Sequence, residues 1–163
     1  MTISEPLSRQ IDSREQDTMQ PKLKLLDGGW VEAALAMHKK VARIYEEAWN
    51  AHTFDFEKDV GHFMAPDLSI VSGGMLGDRS MLGEISDARA EYIRTGDVIV
   101  TLDVEFTCVA DLGTTVVVVA EGDFKFAYPD QTTYTQQISV SSTLRLLGGR
   151  WVFQHIHCGE ACL

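Results

Sequence analysis

The chain has 163 residues, of which 45% are apolar, 23% charged and 9% aromatic, the make-up of one globular domain with enough apolar surface for a full core. Fourteen Lys and Arg stand against 24 Asp and Glu, a net charge of −10, which excludes the basic face that a nucleic-acid or anionic-membrane binder requires. No apolar run reaches the roughly 20 residues of a membrane span, no signal-type apolar core opens the sequence, and three cysteines (Cys108, Cys158, Cys162) make no disulfide scaffold, so a cytoplasmic setting is expected.

Residues 1–26 are rich in Ser, Gln, Asp, Glu and Arg without apolar periodicity and read as a flexible leader; one domain is expected over 27–163. Trp30, Ala34, Met37, Val41, Ile44, Tyr45 and Ala48 then recur every three or four residues, the stripe of a long helix that starts near Asp27 and stops at Asn50. Asp55 is placed to cap a short second helix with Phe56, Val60, Phe63 and Met64 on one side. Ala65-Pro66-Asp67 breaks it, and residues 68–71 read as a short strand. After a turn at Gly73-Gly74, Asp78 caps a third helix whose apolar side is Met81, Ile85, Ala88 and Tyr92, with Gly96 near its end.

Beyond Gly96 the period changes to two, the mark of strands buried on one side. Val98, Val100, Leu102, Val104, Phe106 and Cys108 alternate with polar residues, and so do Val116, Val118, Ala120, Gly122, Phe124 and Phe126. A third long strand sets Tyr134, Gln136, Ile138, Val140, Ser142, Leu144 and Leu146 on one face. Gly148-Gly149 turns the chain into a last strand, where regular alternation puts Trp151, Phe153, His155 and His157 together. Helices followed by a meander imply an α+β fold, three helices packed on a curved antiparallel sheet.

Polar residues among inward apolar positions are the informative ones, because each costs on the order of 1–3 kcal/mol to bury without a partner. The strands offer Tyr134, Gln136, Ser142, His155 and His157, and the first helix offers Tyr45 and Trp49. His155 and His157 share a strand face with Cα atoms about 6.5–7 Å apart, and imidazole titrates near neutral pH. Trp151 could stack on an aromatic ligand. Cys158 follows His157 directly and so points to the opposite face, which leaves no metal-ligand set; neither metal nor cofactor is expected. Gly73-Gly74-Met75-Leu76-Gly77 lacks the residues of a phosphate loop and reads as a turn at the lip of a pocket.

The element order, with Gly149-Arg150-Trp151-Val152-Phe153-Gln154-His155-Ile156-His157-Cys158 as closing strand, resembles the SnoaL-like and NTF2-like (ketosteroid isomerase-like) superfamily. The closing strand is also similar to the end of the association domain of calcium/calmodulin-dependent protein kinase II. The resemblance implies a cone-shaped fold whose pocket takes a small apolar organic ligand. It matches Tyr45, five residues before Asn50, to the family's oxyanion donor, and it puts Ser72 where the family carries an aspartate base. A serine cannot take a carbon-bound proton as a carboxylate does. The implied activity is that of an isomerase, cyclase or dehydratase working by acid–base chemistry without metal: His155 or His157 moves the proton and Tyr45 or Tyr134 donates to the oxyanion, with Gln136, Trp49, Trp151 and Ser72 lining the pocket. The alternative is a non-enzymatic ligand-binding or oligomerisation module in which the histidines are structural. A homodimer through the Thr-, Ser- and Gln-rich outer sheet face is expected in either case.

Overall fold

The computed structural model describes residues 29–159, so the expected leader over 1–26, the start at Asp27 and Cys162 lie outside the described residues. Helix α1 (Gly29–Asn50) buries Ala34, His38, Val41 and Trp49 along one stripe. Helix α2 (Phe56–Asp59) is capped by the Asp55 carboxylate, which accepts from the Lys58 amide at 3.0 Å, and a 3-10 turn follows over Gly61–Phe63. Strand β1 (Met64–Ser72) begins earlier than the Ala65-Pro66-Asp67 break suggests. Pro66 has no N–H to give, and β1 accordingly leaves its neighbour between Met64 and Ser69. Gly73 and Gly74, both at positive φ, turn it into β2 (Met75–Asp78), a strand where only a pocket lip was expected. Asp78 caps helix α3 (Arg79–Gly96), accepting from the amides of Ser80 and Met81.

Strands β3 (Ile99–Asp111), β4 (Thr115–Ala127), β5 (Thr133–Leu147) and β6 (Arg150–Cys158) form the meander. The sheet order is β2-β1-β6-β5-β4-β3 and the sheet is open. It is mixed rather than wholly antiparallel, because β1 and β6 run parallel. The cause is topological: α3 carries the chain from the β2 edge to the β3 edge, and the meander returns strand by strand until β6 meets β1 from the same direction. Gly122 permits close approach on the inner face of β4, since a Cβ there would fall on the Asp103 carbonyl oxygen and within 2.9 Å of the Val104 Cα.

The helices cover the concave face. Two apolar clusters form beneath them, one around Ile70, Val118, Leu144 and Phe153, the other around Ile93, Val100, Phe124 and Phe126, and Tyr45 and Phe54 pack against both. The end of α1 is latched to the edge strand β3. The Asn50 amide donates to the Val100 carbonyl and its oxygen accepts from the Val100 N–H, both at 2.8 Å, and Glu46 accepts from the Leu102 N–H at 2.6 Å. These bonds satisfy an exposed strand edge and fix the helix turns that carry Tyr45 and Trp49.

The expected alternation of β6 is corrected. Pairing with β5 runs Leu144↔Phe153 and then Thr143↔His155, so Gln154 is an extra residue, a β-bulge. Trp151 and Phe153 face the core before it, Ile156 and Cys158 after it. One inserted residue reverses the parity and turns His155 and His157 to the outer face.

Candidate functional site

A cavity of about 220 Å³ lies between α1, α3 and the concave face, walled by Val41, Ile70, Leu82, Val104, Phe106, Phe124, Val140 and Phe153 among others. Its polar groups come from both layers: His38, Tyr45 and Trp49 from α1, Ser86 and Arg89 from α3, and Ser72, Ser142 and Cys158 from the sheet.

His38 sits between the rings of Phe106 and Phe153, each 4.8 Å away centroid to centroid, and its Nε2 is hydrogen-bonded to the Ser142 hydroxyl at 3.1 Å. Its Nδ1 is buried without a partner. Burial in this aromatic slot pushes the imidazole down to about 4, so it is neutral at physiological pH. The Tyr45 hydroxyl is hydrogen-bonded to that of Ser86 at 3.1 Å, and burial pushes the phenol well above its ordinary range despite this bond. Tyr45 therefore remains a phenol and keeps a proton to donate. Its ring stacks on Phe54, and that of Trp49 stacks on Phe124 at 5.7 Å. The Trp49 indole N–H is buried without a partner. The cavity is thus an aromatic slot with neutral polar groups at intervals and one cationic side chain, Arg89 of α3, in its lining.

Of the residues singled out in the sequence, Tyr45, Trp49 and Ser72 line this cavity, together with Ser142. Ser72 is 2% exposed and stands across from Cys158. Tyr134 and Gln136 lie on the concave side but beyond Ile138, outside the lining, and Tyr134 is 55% exposed. Trp151 is a core residue, met edge-on by Trp30, and does not reach the cavity. The two histidines are corrected in place. His155 Nδ1 is hydrogen-bonded to the Ser69 hydroxyl at 2.7 Å on the outer face, and His157 is exposed there. Cys158 faces the cavity while His157 faces out, and among the described residues no three His, Cys, Asp or Glu side chains converge as a metal site. His38, Ser86 and Arg89 were missed. His38 was within reach of the sequence, because 34, 38, 41, 45 and 49 make one helical stripe that passes through it.

A second, larger groove of about 640 Å³ runs between the end of α1, α2 and α3. Its guanidinium groups are engaged, Arg79 with Glu57 and Arg94 with Glu91, and its lining is rich in charged side chains.

No model of a known protein family matches the sequence, and no curated protein matches it. Solved structures do. A protein of unknown function from Mycobacterium tuberculosis superposes with a TM-score of 0.58 at 16% identity, over 87% of this chain and 76% of that one. An NTF2-like protein from Cytophaga hutchinsonii gives 0.56 at 15%, over 78% and 95%. An NTF2-like protein with a cystatin-like fold from Novosphingobium aromaticivorans gives 0.58 at 11%, over 80% and 82%. At these identities the likeness is one of architecture: an open, bent sheet with three helices over its concave side. The chain has the NTF2-like fold.

Proposed function

We propose that the protein binds a small, largely apolar organic molecule in the cavity beneath α1 and α3. The observation that carries this reading is a space of about 220 Å³ walled by aromatic and aliphatic side chains, with the Tyr45 hydroxyl held among its few polar groups. An apolar cavity of about 150 Å³ holds benzene, so this one has room for one ring with small substituents and not for a four-ring steroid. Tyr45 keeps its proton across the physiological range and offers it to a carbonyl or hydroxyl oxygen. The test is calorimetry with acetophenone and ethylbenzene, which share a shape and differ in the oxygen. The ketone should bind the more tightly, and Tyr45→Phe should erase about tenfold of its affinity while sparing the hydrocarbon. If neither compound binds at millimolar concentration, the reading fails.

A second reading, acid–base turnover by an isomerase, cyclase or dehydratase, is favoured by one observation, the buried Nδ1 of His38 without a partner. His155 and His157 are on the far side of the sheet, and Ser72 brings no charge to the family's aspartate position. The proton-moving role therefore passes to His38, with Tyr45 donating to the developing oxyanion. In heavy water the protein should then speed exchange of the acetophenone methyl protons, and His38→Gln should abolish the effect. Binding without exchange leaves a non-enzymatic ligand-binding module.

A further inference from the structure

We infer that the ligand is a one-ring organic anion, its ring in the cavity and its carboxylate at the guanidinium of Arg89. This rests on the cavity being a ligand site and names the chemistry of the ligand's polar end. Among the described residues that line the cavity, Arg89 is the one cationic side chain, in a chain of net charge −10. Its guanidinium lies over the rings of Phe124 and Phe126, 5.5 and 5.7 Å from their centroids. A guanidinium carries five N–H donors in a planar fork, the geometry that suits a carboxylate.

The position of Arg89 matches the open end of the cavity. Along the concave face of β5, exposure climbs from 1% at Ser142, through half-buried Val140, Ile138 and Gln136, to 55% at Tyr134. Phe124 pairs across the strands with Gln136, and Phe126 with Tyr134. Arg89 therefore stands where the wall gives way to solvent. A carboxylate placed there keeps part of its hydration, and only the ring is fully desolvated, which avoids the cost of burying an ion. The opposite end, with neutral His38 and Ser142, suits the apolar end of such a molecule. Asp87, two residues earlier on α3, accepts from the Phe56 N–H at 3.3 Å.

Calorimetry with phenylacetate and phenylacetamide, equal in size and different in charge, tests this at neutral pH and low salt. The acid should bind at least about tenfold more tightly than the amide, and added salt should narrow the gap. In Arg89→Met the acid-to-amide ratio should fall close to one, while Arg89→Lys, which keeps a charge and loses the fork, should retain an intermediate ratio. Equal binding of the two compounds, or a preference that survives in Arg89→Met, overturns the inference and leaves the cavity as a ligand site. Failure of both compounds to bind overturns the cavity reading and this one with it.

Discussion

His38 makes the stability of the protein depend on pH in a defined window. The imidazole lies 8% exposed between two phenyl rings and titrates at about 4, against 6.5 in the unfolded chain. Between those values the unfolded state binds a proton that the folded state refuses, so stability rises with pH there. The full contribution is present above about pH 6.5, is lost as the pH falls, and stops changing below about 4, where both states are charged. At about 1.36 kcal/mol per pH unit the loss across the window is about 3 kcal/mol, a large share of the 5–15 kcal/mol that holds a domain of this size together. Urea unfolding followed by fluorescence of the buried Trp49 and Trp151 should show it when repeated from pH 7.5 to pH 4. Other titrating groups contribute to the same curve, so the comparison is with His38→Gln, whose amide can still meet the Ser142 hydroxyl and cannot titrate. The wild-type protein should lose about 3 kcal/mol more than the variant over that range. Parallel pH curves for the two proteins would refute the burial argument.

Three further outcomes follow from the geometry. Gly122→Val should cost more than about 2 kcal/mol in urea unfolding, since its Cβ meets the Asp103 backbone of the neighbouring strand, where nothing flexible can yield; a variant of unchanged stability would show that β3 and β4 are not so closely apposed. His157→Ala and His155→Phe should leave affinity for acetophenone within about twofold, because both side chains are across the sheet from the cavity; a tenfold loss would place the ligand elsewhere. Light scattering should give twice the chain mass, with the outer sheet face as the contact. Asp103 is paired with Asp123 and Glu105 with Glu121 on that face, so the two copies should meet off these carboxylates, toward the Ser- and Thr-bearing positions of β5; a monomeric mass would remove the dimer.

The parts of this fold that were legible in the sequence are those decided by neighbouring residues. Asp55 and Asp78 cap their helices because a carboxylate there reaches amides two or three positions on, whatever surrounds it. The inward rows of β3, β4 and β5 follow from alternation alone. The parallel β1–β6 pair was out of reach because it joins residues more than eighty positions apart, and their sense is set by where α3 leads the chain. His38 was passed over for a different reason. An imidazole inside an apolar stripe breaks the pattern that defines the stripe, and only the distant Ser142 hydroxyl and the two phenyl rings make its burial tolerable.

The bulge at Gln154 joins these observations. Without it, His155 and His157 would continue the face of Trp151 and Phe153, and two imidazoles would stand in the wall where Ile156 and Cys158 now stand. With it, β6 gives the interior an aliphatic side chain and a thiol, and the histidines become outer-face residues bonded to or surrounded by Ser69, Ser141 and Thr143. The hydrogen-bonding chemistry of the cavity therefore rests chiefly on the helices, through His38, Tyr45, Ser86 and Arg89, against serines from the sheet. Helices that lie over an open sheet can shift with less loss of pairing than its strands, since their backbone bonds are internal while each strand is tied to its neighbours. Affinity and selectivity at this site should thus follow how firmly α1 and α3 are seated, and the bonds of Asn50 to Val100 and of Glu46 to Leu102, which join α1 to the sheet edge on either side of Trp49, are contacts that hold α1 in that seat.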